Sequence, residues 1–198
     1  MRKEKNTAAG AWHELASEAV TRSVAKLSRI SAGSWAIKDI EAVVSAEALR
    51  APGEEPGAGV IFTVAGPGSL RALLTFRARD VEAVSRCFLG YSFVKMSSMN
   101  KAEELLVSEV GNILFNSFLS VISARVGEVM LPSVPHCIQG GLDIIDTAFR
   151  GSPGLTPGDA AARLRLTLSC KDGEAECSVL LAMERELFSR LFTSGGAS

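Results

Sequence analysis

The chain has 198 residues, 47% apolar and 22% charged, with a formal net charge of −1. That is the balance of an ordinary globular protein, and it excludes the basic surface on which non-specific nucleic-acid binding depends. No uninterrupted apolar run reaches the roughly eighteen residues of a membrane helix. The opening MRKEKNTAAGAWHELA has basic residues with no apolar stretch behind them. Neither a membrane span nor a secretory signal is expected, and the cytoplasm is the expected location.

In chain order, residues 1–9 are polar and are expected to fray. Over 11–30 the spacing of Trp12, Leu15, Ala19, Val20, Val24 and Leu27 predicts a helix, which Ser31-Ala32-Gly33 stops. Residues 35–44 read as extended, and APGEEPGAG at 51–59 reads as a loop. Strands are predicted at 59–64 and 70–76, paired as a hairpin around GPGS. A helix is predicted over 78–89, starting with Arg79-Asp80. A third, longer helix is predicted over 100–126. Asn100 is a good N-cap, Glu103 sits three positions later where a capping-box acid reaches back, and Gly127 stands where a left-handed cap belongs. An extended segment follows at 128–138, and 139–159 reads as a loop-rich insertion. Strands at 162–170 and 175–183 are joined by Lys171-Asp172-Gly173-Glu174, a helix is expected over 184–192, and TSGGAS trails off.

Four cysteines are present: Cys87, Cys137, Cys170 and Cys177. No two form a C-x-x-C pair, and in a cytoplasmic chain all four are expected to be reduced, although Cys170 and Cys177 could face each other across the last hairpin. His136 and Cys137 are adjacent and point different ways, so no metal site is expected there, and His13 stands alone.

An internal repeat runs through this order. LLTF followed by RARDVEAV in the first half parallels LLAM followed by ERELFSRL in the second. Each half reads helix, strand, strand, strand, helix. Three strands and one amphipathic helix leave a sheet edge and a face open, and two copies joined edge to edge about a pseudo-twofold would bury both. The expected fold is therefore α/β (α+β): a single domain over 1–198 with halves at 10–90 and 98–193, sharing a largely antiparallel sheet with long helices packed on it.

On the long helix, Glu109, Asn112 and Asn116 lie three and four apart and share one stripe. Leu106, Val110, Ile113, Leu114, Phe118, Val121 and Ile122 form the apolar side. Phe115 and Asn116 flank the stripe, and Phe115 suits either a partner contact or the core. Gly111 allows a close approach, by another protein's backbone or by the helix's own sheet.

Glu109-x-x-Asn112, with GNI around it and Pro135 following after twenty-two residues, resembles the signature of the CheC/CheX/FliY phosphatases of bacterial chemotaxis. The words SEVGNILFNSFLSVIS and LPSVP are similar to the second half of CheC, and the resemblance extends over nearly the whole chain. One place departs: the family pattern has Ser or Asp four residues before the Glu, where this chain has Leu105. In the first half, Glu18 and Thr21 align with Glu109 and Asn112, but a threonine hydroxyl is shorter than a carboxamide and no proline follows. One working site is thus expected, as CheX carries per subunit, with the first half as scaffold.

The resemblance implies that the substrate is the aspartyl phosphate of a CheY-like response regulator, with Mg2+ on the regulator and no cofactor of this chain's own. Asn112 would orient the attacking water. A carboxylate there would repel the developing charge. Glu109 would pair with a lysine of the regulator and set the register of docking. Phe115 and Asn116 would touch the same partner. A CheD-like protein is a further partner that binds some CheC proteins, and both monomer and homodimer fit the repeat. The alternative is a non-catalytic module of the same fold, binding a phospho-regulator or forming part of a flagellar switch like FliM and FliN. No Ser-His-Asp set, P-loop or dinucleotide glycine motif points to another enzyme.

Overall fold

Period-two alternation builds the sheet. In the 160–170 strand, Ala162, Leu164, Leu166 and Leu168 are buried on one face, and in the 173–183 strand Ala175, Cys177, Val179, Leu181 and Met183 join them. A computed structural model describes residues 2–44, 53–66, 68–91, 99–152, 156, 158–171 and 173–192, with backbone alone for 2–7. The elements are α1 (Arg2–Ile30), β1 (Ala36–Val44), β2 (Pro56–Ala65), β3 (Leu70–Arg77), α2 (Ala78–Leu89) and α3 (Lys101–Val126). They continue with β4 (Leu131–Pro132), β5 (His136–Gly141), α4 (Leu142–Arg150), β6 (Ala160–Cys170), β7 (Gly173–Met183) and α5 (Arg185–Phe192).

One seven-stranded sheet has the order β1-β6-β7-β3-β2, with β4 and β5 both on the outer side of β2. Its pairings are antiparallel. The order reads the same from both ends, with β3 and β7 as the central pair, so the sheet is mixed α/β and pseudo-twofold as the repeat requires. The join differs from two halves set edge to edge. β1 pairs with β6 and β5 pairs with β2, so each half's first strand closes the other half's edge. Helices α1, α2, α3 and α5 bury their apolar residues in the core on one face of the sheet.

The other face is covered by α4, which corrects the loop expected over 139–159. Leu142, Ile145 and Phe149 are spaced for one helix face and pack on Ile61, Leu73, Leu180 and Ala182. Room for them comes from β2: a methyl group at Gly59 would collide with Ile145, and one at Gly57 with Leu142. Asp146, buried on that side, pairs with Arg150 at 2.5 Å and lies 3.7 Å from Arg163.

The polar N-terminus is not frayed along its backbone: α1 is helical from Arg2, and Ala8 already packs on the core. The tail after Phe192 lies outside the described residues, as do Pro67 and Asp172 of the two hairpin turns. Helix α3 is long and apolar enough to cross a bilayer, but Leu106 through Ile122 place most of their apolar side chains inside the core. The expectation of four free thiols also fails. Cys87 at the end of α2 and Cys170 at the end of β6 form a disulfide, with Cα atoms 5.9 Å apart across 83 residues of sequence. Cys170 does not face Cys177, because the register sets Cys170 opposite Gly173 and Cys177 opposite Leu166. Cys177 is fully buried, and burial, followed by the charges of Asp80 and Glu176, pushes its thiol up to about 12.

Candidate functional site

Helix α3 is anchored at both ends as its sequence dictates. Asn100 Oδ1 accepts from the amides of Ala102 and Glu103, each at 2.9 Å, and Glu103 Oε2 accepts from the Asn100 amide at 2.8 Å. Gly127, at φ 76°, closes the other end in the left-handed conformation, and its amide donates to the Ser123 carbonyl. The inner side of α3 is settled by aromatic packing: Phe115 is 0% exposed and stacks on Phe62 of β2 at 4.5 Å between ring centroids. Phe115 is therefore core and cannot touch a partner, which corrects the expectation that it would. Gly111 brings α3 against its own sheet, where a methyl group would lie 3.2 Å from Val60 Cγ2.

The outer side carries Leu105, Glu109, Asn112 and Asn116 in one stripe. Leu105 is 60% exposed, Glu109 is exposed, and Asn112 and Asn116 are half-buried. Glu109 makes no ion pair among the described residues. The Asn116 amide nitrogen donates to Asn112 Oδ1 at 2.8 Å. Among the described residues, both protons of the Asn112 nitrogen and one oxygen lone pair have no other partner. The sequence reading missed this bond, although an asparagine pair at i and i+4 is its signal.

The 131–141 segment runs along β2 and flanks α3. Its pairing is broken between β4 and β5, where Pro135 has no amide to donate. Ser133 bridges the gap: its amide donates to the Thr63 carbonyl at 2.7 Å, and its hydroxyl accepts from the Thr63 amide at 3.1 Å. In β5, the Cys137 thiol is pushed up by burial, while a hydrogen bond with Ser108 of α3 pulls the other way. No group of three metal-ligating side chains occurs among the described residues.

The first-half counterpart is arranged differently. Glu18 is exposed but paired, with Arg22 at 2.7 Å and Arg125 of α3 at 3.8 Å. The Thr21 hydroxyl donates to the Ser17 carbonyl at 2.8 Å, one turn back on its own helix. The acid is neutralised and the hydroxyl is spent.

With these positions in view, comparison with solved structures decides the fold. The chain resembles FliY of Thermotoga maritima with a TM-score of 0.65 at 15% identity, over 98% of this chain and 96% of that one. It resembles CheX in the CheX–CheY–BeF3–Mg complex of Borrelia burgdorferi with a TM-score of 0.55 at 16% identity, over 87% and 97%. The chain has the CheC/CheX/FliY fold. A chain of the FliM–SpeE complex of H. pylori shares that fold, with a TM-score of 0.67 at 11% identity over 96% and 97%. No family model matches the sequence, and no curated sequence matches it. The CheC/CheX/FliY fold thus rests here on backbone shape, at identities where side chains have diverged widely.

Proposed function

We propose that this protein binds a CheY-like response regulator through the outer face of α3 and hydrolyses its aspartyl phosphate. The observation that carries this reading is the outward, half-buried amide of Asn112, one turn from an exposed Glu109 that makes no ion pair among the described residues. An acyl phosphate bound beside a metal on the regulator already hydrolyses unaided, so what is needed is a held water. The water oxygen bonds to phosphorus, the bond from phosphorus to the aspartyl oxygen breaks, and orthophosphate leaves a free carboxylate behind. Asn112 is neutral, so it can donate to the phosphoryl oxygens or the water and accept from the water without adding charge. Glu109 supplies the docking charge for a lysine of the regulator. Asn116 belongs to the docking face, Phe115 does not, and the Glu18–Thr21 half serves as scaffold. The metal belongs to the regulator, and the reaction takes place in the cytoplasm.

The test is to add the protein to phosphorylated regulators from its own cell and follow phosphate loss. The parent accelerates loss from at least one of them. Glu109→Ala raises the Kd for that regulator by roughly tenfold, the scale of a lost docking ion pair, and alters the rate at saturation far less. A second reading, a binding module of the flagellar-switch kind, is favoured by the FliM likeness and by exposed Leu105 in the stripe. It predicts tight binding of a regulator with no acceleration by the parent.

A further inference from the structure

We infer that Asn116 is the positioning residue of the site, holding the Asn112 amide in the orientation that turnover needs. This rests on the phosphatase reading and adds a second residue to it. An asparagine side chain on an exposed helix face rotates freely about its last bond, and either end of the amide can then face outward. Here the Asn116 nitrogen donates to Asn112 Oδ1 at 2.8 Å, and both side chains are half-buried, so water competes poorly for the bond. The Asn112 nitrogen is then the end presented outward. A group that must place a water loses rate when it swings, because orientation is most of its contribution.

The internal repeat gives an independent line. Position 25 of the first half aligns with position 116, since Glu18 aligns with Glu109 and Thr21 with Asn112. It is Ala25. The half that lacks the amide also lacks the group that would hold it, and Thr21 bonds its own helix instead. The two asparagines occur together or not at all in this chain.

The experiment compares the parent with Asn116→Ala, Asn116→Gln and Asn116→Asp. Three readouts are taken: kcat for regulator dephosphorylation, Kd for the regulator, and the side-chain rotamer populations of Asn112 from NMR couplings. In Asn116→Ala, kcat at saturating regulator falls ten- to a hundredfold, well beyond whatever Kd loses with a side chain of the docking face, and Asn112 averages over rotamers. Asn116→Gln keeps a donor one methylene longer and recovers part of the rate. Asn116→Asp can only accept, so it turns the Asn112 amide round and is at least as slow as the alanine variant. A purely structural pair would lower the melting temperature and leave kcat and the Asn112 rotamer alone. That result overturns the positioning role without touching the phosphatase reading. If the parent accelerates no regulator, the phosphatase reading falls and the positioning role falls with it.

Discussion

Gly111 sits in the middle of α3 with Val60 of β2 directly beneath it. Alanine there gains about 1 kcal/mol of helix propensity over glycine. Its methyl group, however, would lie 3.2 Å from Val60 Cγ2 and 3.3 Å from Val60 Cβ, and valine is stiff at χ1. Overpacking of this kind costs about 1–3 kcal/mol, so Gly111→Ala is expected to destabilise by about 1 kcal/mol net. A urea titration checks this, and a stabilised variant would contradict the packing account. Among site residues, the sequence was most informative where helical spacing speaks. Glu109, Asn112 and Asn116 fall on one face because three- and four-residue steps force them there. It was least informative at Phe115, one step from that stripe, because only the position of Phe62 on β2 decides which way that ring is buried. Of the two arginines that neutralise Glu18, Arg22 lies four residues on along the same helix, but Arg125 was equally hidden, since it reaches the carboxylate from another helix.

Helix α3 was legible as an element because both of its ends are written locally. The Asn100–Glu103 capping box satisfies amides that the first turn leaves free, so Asn100→Ala is expected to cost about 1 kcal/mol. Thermal melting reads this directly, and a loss much below that size would mean the cap is replaced by water. Helix α4 was not legible, although Leu142, Ile145 and Phe149 have helical spacing. Gly140-Gly141 before it and Gly151, Pro153 and Gly154 after it made the whole stretch read as loop. Its partners are residues of β2, β3 and β7 far away in sequence, and Gly57 and Gly59, which make room for it, read as ordinary loop-and-strand glycines. The short β4 and the break at Pro135 follow the same logic. The missing amide was visible in the sequence, but the Ser133 side chain that compensates for it was not.

At the scale of the molecule, the repeat announced a two-part sheet but not the exchange of outer strands. That exchange is a long-range pairing, β1 with β6 and β5 with β2, and local pattern carries no record of it. The disulfide is of the same kind, joining the end of α2 to the end of β6 across 83 residues. Closing a loop of that length stabilises the native state by about 4–5 kcal/mol in the chain-entropy account. Cys87→Ser/Cys170→Ser, or a thiol reductant added to the parent, is therefore expected to lower the unfolding free energy extrapolated from a urea titration by an amount of that order, and the midpoint with it. An unchanged midpoint would contradict the bond.

The central claim is that one outward amide on α3 does the work of hydrolysis. The most direct measurement is the decay of aspartyl phosphate on a regulator at saturating protein, parent against Asn112→Ala, with Kd measured on the same samples. The account predicts that the variant binds as the parent does and falls to the regulator's own rate of decay. A variant that still accelerates decay as the parent does would contradict it.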